Sequence, residues 1–130
     1  MGKIMIDTDV LIDLLEKKPI SILRNLSMKY DFYVSGIVAF EFLTGIYKIK
    51  KLKLKKILEN NFNIVPISYE IIDLAAEIEA GLMEQGKMLD PRDLLIGATA
   101  IFMNIPLRTN NIKDFKRLEK YGLKLKDKFD

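Results

Sequence analysis

Four carboxylates stand either where an extended stretch gives way to a helix or inside the first turns of the helix that follows: Asp7, Glu41, Asp93 and Asp114. Gathered in one cleft they would repel and push each other's pKa upward unless a cation neutralised them. Oxygen donors of this kind suit hard divalent ions such as Mg²⁺ or Mn²⁺. The chain contains no Cys and no His. Thiolate nucleophiles, Cys-based zinc sites, disulfides and any Ser-His-Asp triad are therefore excluded, and carboxylates, Lys, Tyr and hydroxyls must carry whatever chemistry occurs.

Each acid also has a plainer reading. Asp7 closes the apolar run Ile4-Met5-Ile6 and precedes a helical pattern of Val10, Leu11, Leu14 and Leu15, so it could simply stand before a helix capped by Thr8 or Asp9. Thr8 offers a hydroxyl to hold the carboxylate or a water, while Asp9 points the other way and suits a cap or a supporting position. Glu41 is the only charged residue between Asp31 and Lys48 and is flanked by Phe40, Phe42 and Leu43. A carboxylate in a stretch made for burial must be paired or must face a polar cleft. Asp93 lies three positions after Asp90, which with Pro91 reads as a helix cap and first residue. Asp114 takes the third position after an Asn111 cap, and Asn111, nearer the strand end, is an alternative occupant of the site.

The elements that must position these residues follow from periodicity. Strands are expected over the run ending at Ile6, over Asp31–Ser35, over Phe62–Ile67, over Pro106–Thr109 and, at an edge, over Leu123–Lys126. Helices are expected from Val10, over Ile20–Lys29, Ile37–Tyr47 and Tyr69–Gln85, from Pro91 through Met103, and over Ile112–Lys120. The lysine-rich run Lys48–Leu58 reads as one helix of undetermined register. Strands alternating with helices imply an α/β sandwich with a mainly parallel sheet, and in such sheets ligands bind outside the carboxyl ends of the strands.

With 130 residues, 49% of them apolar, the chain is expected to form a single domain over residues 1–130. The uncharged run Leu94–Met103 is well short of the roughly 18 residues of a membrane span, and no targeting pattern opens the chain. A cytoplasmic protein without membrane contact is the expectation. A net charge of +3 is compatible with nucleic acid. The lysines from Lys48 to Lys56 suit a solvated face, contact with a substrate backbone, or a partner's docking.

Ile6-Asp7-Thr8-Asp9-Val10-Leu11-Ile12-Asp13 resembles the opening signature of PIN domains, and Asp93-Leu94-Leu95-Ile96-Gly97-Ala98-Thr99-Ala100 resembles their third-acid motif. Leu107-Arg108-Thr109-Asn110-Asn111, with Asp114-Phe115, resembles the closing motif. Order and spacing are similar to those of small VapC-type toxins. The resemblance implies a Rossmann-like three-layer sandwich of about five strands and an Mg²⁺- or Mn²⁺-dependent endoribonuclease acting on RNA. It also implies a cognate antitoxin and a homodimer. By motif, Asp7 and Asp93 become the most direct metal ligands, Glu41 the second acid and Asp114 the fourth. The closing motif departs from the pattern, with Asn110-Asn111 where many members have an Asp directly after the strand. Two other readings compete: a haloacid-dehalogenase-like phosphatase, suggested by Asp7-Thr8-Asp9 but lacking Gly-Thr after it, and a non-catalytic binding module that uses the acids as caps.

Overall fold

The computed structural model describes residues 2–130. Five strands form one sheet: β1 (Gly2–Ile6), β2 (Tyr30–Ser35), β3 (Phe62–Val65), β4 (Leu107–Arg108) and β5 (Leu125–Lys126). Their order is β3-β2-β1-β4-β5 and every neighbouring pair is parallel. Ile4, Met5 and Ile6 are all fully buried. Successive strand side chains point to opposite faces, so β1 is covered on both, which makes the molecule three-layered around its central strand.

The helices are α1 (Thr8–Ile12), α2 (Ile20–Ser27), α3 (Gly36–Ile49), α4 (Leu52–Asn61), α5 (Tyr69–Glu84), α6 (Pro91–Met103) and α7 (Ile112–Phe115). α1 runs on into a π-helical turn over Asp13–Lys17, and α7 into a 3₁₀ turn over Lys116–Tyr121 that Gly122 ends at φ 105°. α5 packs along α6, and α6 also touches α3 and β2. Phe32 of β2 stacks on Phe62 of β3 with ring centroids 5.1 Å apart, tying the edge strand to the core.

Several boundaries differ from the sequence expectation. The lysine-rich run is two helices, because Lys50 adopts a left-handed conformation (φ 59°) that closes α3 before α4 begins. β3 stops at Val65, one residue short of Pro66, which cannot donate to a ladder. The Asn60-Asn61 pair is no break, since α4 includes both and passes directly into β3. The sheet is wholly parallel, β5 included. Phe40, expected in a buried stretch, is 70% exposed.

The topology fixes where a site can form. From β1 the chain order runs outward in both directions, to β2 and β3 on one side and to β4 and β5 on the other. The reversal falls between β1 and β4, and in open parallel sheets the crevice at the carboxyl ends of such strands is the binding position.

Candidate active site

Asp7 is the first residue past β1 and Thr109 the first past β4, so the two strands deliver them side by side at the switch point. The backbone N–H of Asp7 donates to the Arg108 carbonyl at 3.1 Å. Asp7 itself, rather than Thr8 or Asp9, caps α1: its Oδ1 accepts from the Thr8 N–H at 2.8 Å. Its Oδ2 accepts from the Thr109 hydroxyl at 2.7 Å. Both oxygens are thus engaged, which holds the buried carboxylate in one orientation.

Glu41 enters from α3, whose start is fixed by the Ser35 hydroxyl accepting from the Val38 N–H at 3.2 Å. Glu41 Oε1 accepts from the Thr8 hydroxyl at 2.6 Å. Asp93 enters from the first turn of α6 and is buried. Asp90 caps that helix as expected, its Oδ1 accepting from the Arg92 N–H at 2.9 Å, with Pro91 as the first helical residue.

Between the acids lies a side chain that sequence reasoning did not single out. The Arg92 guanidinium donates from Nε to Glu41 Oε2, from Nη1 to Asp93 Oδ1 and from Nη2 to the Thr8 hydroxyl at 3.2 Å. Nη2 also stands 3.8 Å from Asp7 Oδ1. Three carboxylates from α1's cap, α3 and α6 therefore surround one organic cation. The hydrogen bond to Glu41, followed by the charges of Glu41, Asp7 and Asp93, raises the Arg92 pKa against the opposing effect of burial. Burial raises the Asp93 pKa, and the charges of Asp7, Asp90 and Asp114 add to this; Arg92 pulls it down without cancelling the rise.

Asp114 is set back from this group. Its Oδ2 accepts from Asn111 Nδ2 at 3.2 Å, and the Asn111 N–H donates to Thr109 Oγ1 at 3.0 Å, so it reaches Asp7 through two intermediaries. Asn111 makes no side-chain cap to α7; its amide holds Asp114 instead. Asp9 is exposed and lines, with Asp13, Lys17, Arg108 and Asn110, a separate polar cavity of about 490 Å³ that contains none of the four acids. Arg92 and Thr109 are the members of the site that sequence reasoning missed. The local signals were an arginine adjoining Asp93 and a hydroxyl at a strand end.

The donor set is right for a hard divalent ion, being carboxylate oxygens supported by hydroxyls. The arrangement is not yet a cage: among the described residues, no group of three or more acidic side chains is disposed to hold a metal ion. The guanidinium is what joins them.

A PIN domain family model matches residues 4–121. The chain is 40% identical over 127 residues to Ribonuclease VapC1 of Methanocaldococcus jannaschii, covering 98% of this chain and 89% of that protein. It is 34% identical over 134 residues to Ribonuclease VapC2 of Rickettsia felis, covering 95% and 98%. Among solved structures, VapBC2 from Rickettsia felis bound to a DNA fragment from its promoter superposes with a TM-score of 0.81 at 28% identity, covering 95% of this chain and 97% of that one. DNA-bound VapBC from Salmonella typhimurium has the same fold, with a TM-score of 0.81 at 23% identity and coverage of 97% and 98%. With its five-stranded parallel sheet, its three acids gathered around Arg92 and this match along nearly its whole length, the chain belongs to the PIN domain family.

Proposed function

We propose that this protein is a metal-dependent endoribonuclease, the toxin of a VapBC-type pair, which hydrolyses RNA phosphodiester bonds at the site formed by Asp7, Glu41 and Asp93. The observation that carries the reading is the convergence of these three carboxylates at the switch point of the sheet on a single cationic centre. Relatives named as ribonucleases, aligned along almost the whole chain, support the reaction class. The VapBC complexes support a cognate antitoxin as partner. The match to the PIN family takes the place of the dehalogenase-type phosphatase reading.

Asp7, Glu41 and Asp93 would hold Mg²⁺ or Mn²⁺, with Asp114 the fourth acid, set back from Asp7 behind Asn111 and Thr109. A bound divalent ion supplies charge neutralisation and an acidified water at neutral pH. The chain's own residues do the rest. Thr8 and Thr109 fix the carboxylates by donating to Glu41 and Asp7. With no His in the chain, a carboxylate is the side chain available to accept a proton from the attacking water.

Residues 1–130 would act as one unit, working in the cytoplasm as a homodimer. No helix among the described residues is long and apolar enough to cross a membrane. Exposed Ile64, Phe102 and Met103 offer apolar surface for a second copy.

The test is cleavage of end-labelled single-stranded RNA with Mg²⁺ or Mn²⁺, with and without EDTA. Wild type cuts and EDTA stops it; Asp7→Asn and Asp93→Asn lose activity by about 100-fold or more with unchanged circular dichroism. Retained cleavage in either folded variant would reject the assignment. A non-catalytic binding module would leave the RNA intact throughout.

A further inference from the structure

We propose that Arg92 is the resident counter-cation of the acidic site, occupying the place between Glu41, Asp93 and Asp7 that a divalent ion would take, so that ion binding requires its withdrawal. The inference rests on the metal-dependent reading of the site.

Three different nitrogens of the guanidinium are committed, one each to Glu41, Asp93 and Thr8, with Asp7 next to the third. These partners come from three separate parts of the chain, and among the acids it is Asp93 that Arg92 joins to Glu41 and Asp7, which Thr8 already links. Thr8 closes the circuit by accepting from Arg92 and donating to Glu41. Two of the three carboxylates, Asp7 and Asp93, are buried. Without a cation they would stand as uncompensated buried charges. Arg92 supplies that compensation from within the chain. Its charge does not titrate away at any physiological pH, so only another cation can replace it.

The side chain is built to leave. Its backbone is pinned at the start of α6 by Asp90, yet the side chain retains 35% of its accessible surface at the rim of the site. A long flexible stem can swing outward without disturbing the helix. With Nε on Glu41 and Nη1 on Asp93, the guanidinium takes up carboxylate oxygens that an ion would need. Two cations competing for the same oxygens cannot both be satisfied, and the ion must offset the lost guanidinium contacts before it gains net affinity.

Isothermal titration of Mn²⁺ into the full-length protein reads this directly. Arg92→Ala should bind Mn²⁺ about tenfold tighter than wild type, the scale of a few partly exposed ion pairs removed. Arg92→Lys, a point charge unable to bridge three groups, should tighten binding less. Unchanged or weaker binding in folded Arg92→Ala would overturn the proposal. A second readout follows the wild type and uses a conservative variant only for assignment. In ¹⁵N spectra of arginine side chains, with Arg92 assigned by its loss in Arg92→Lys, the Nε–H signal should lose its protection from solvent exchange on titration with Mg²⁺. A signal that stays protected at saturating Mg²⁺ contradicts withdrawal. Asp7→Asn separates the two levels of the argument. Mn²⁺ uptake that depends on Asp7 but is indifferent to Arg92 removes this inference alone. Absence of any Asp7-dependent uptake, in wild type and Arg92→Ala alike, removes the metal-site reading with it.

Discussion

Thr109 shows how much of the site is decided by hydroxyls. Its Oγ1 donates to buried Asp7 Oδ2 and accepts from the Asn111 N–H, so a single atom links the acid at the end of β1 to the segment carrying Asp114. Valine has the same shape but neither bond. Thr109→Val should lower stability by about 1–3 kcal/mol, because a buried carboxylate oxygen and a backbone N–H both lose their partner. Thr109→Ser should restore most of it. Thermal denaturation followed by circular dichroism checks this, and a valine variant as stable as wild type would show that water takes over both bonds. Glu41 stood out in the sequence as a charge inside an apolar pattern, and Asp7 and Asp93 as charges at the edge of one, Asp7 closing the run Ile4-Met5-Ile6 and Asp93 opening the uncharged run Leu94–Met103. Arg92 did not, since a search for acids passes over a cation, and its partners Glu41 and Thr8 lie 51 and 84 positions away.

At the scale of elements, α6 carries both the site and a close contact. A Cβ added at Gly97 would come within 2.3 Å of Leu118 Cδ1, and Leu118 is fully buried in the 3₁₀ turn after α7. That turn follows the segment holding Asp114, so the glycine lets two site-bearing elements approach. Gly97→Ala gains about 1 kcal/mol of helix propensity. Overpacking against a buried leucine costs about 1–3 kcal/mol, and the net result should be destabilisation. A rise in melting temperature would mean that Leu118 moves aside freely. Element types were readable where punctuation was explicit: Asp90-Pro91 opens α6, and Gly122 ends the 3₁₀ turn. The break at Lys50 was hidden because a lysine, not a glycine, takes the left-handed position. Exposed Phe40 misled for a related reason, as an apolar type says nothing about which neighbours reach it.

The whole molecule assembles the site. Asp7, Glu41 and Asp93 are far apart in sequence, and they meet because β1 ends beside Asp7, α3 leaves the neighbouring strand β2, and α6, which follows α5, packs against α3 and β2. Local patterns give the alternation of strands and helices, from which a parallel sheet with acids at its carboxyl edge follows. They do not give the strand order β3-β2-β1-β4-β5, which places Thr109 against Asp7. This edge should receive a divalent ion. Anomalous diffraction from crystals grown with Mn²⁺ tests it most directly. A peak is expected about 2.1 Å from oxygens of Asp7 and Asp93, with Arg92 turned outward. A saturated crystal showing no peak among these carboxylates, and Arg92 still bonded to Glu41 and Asp93, would contradict it.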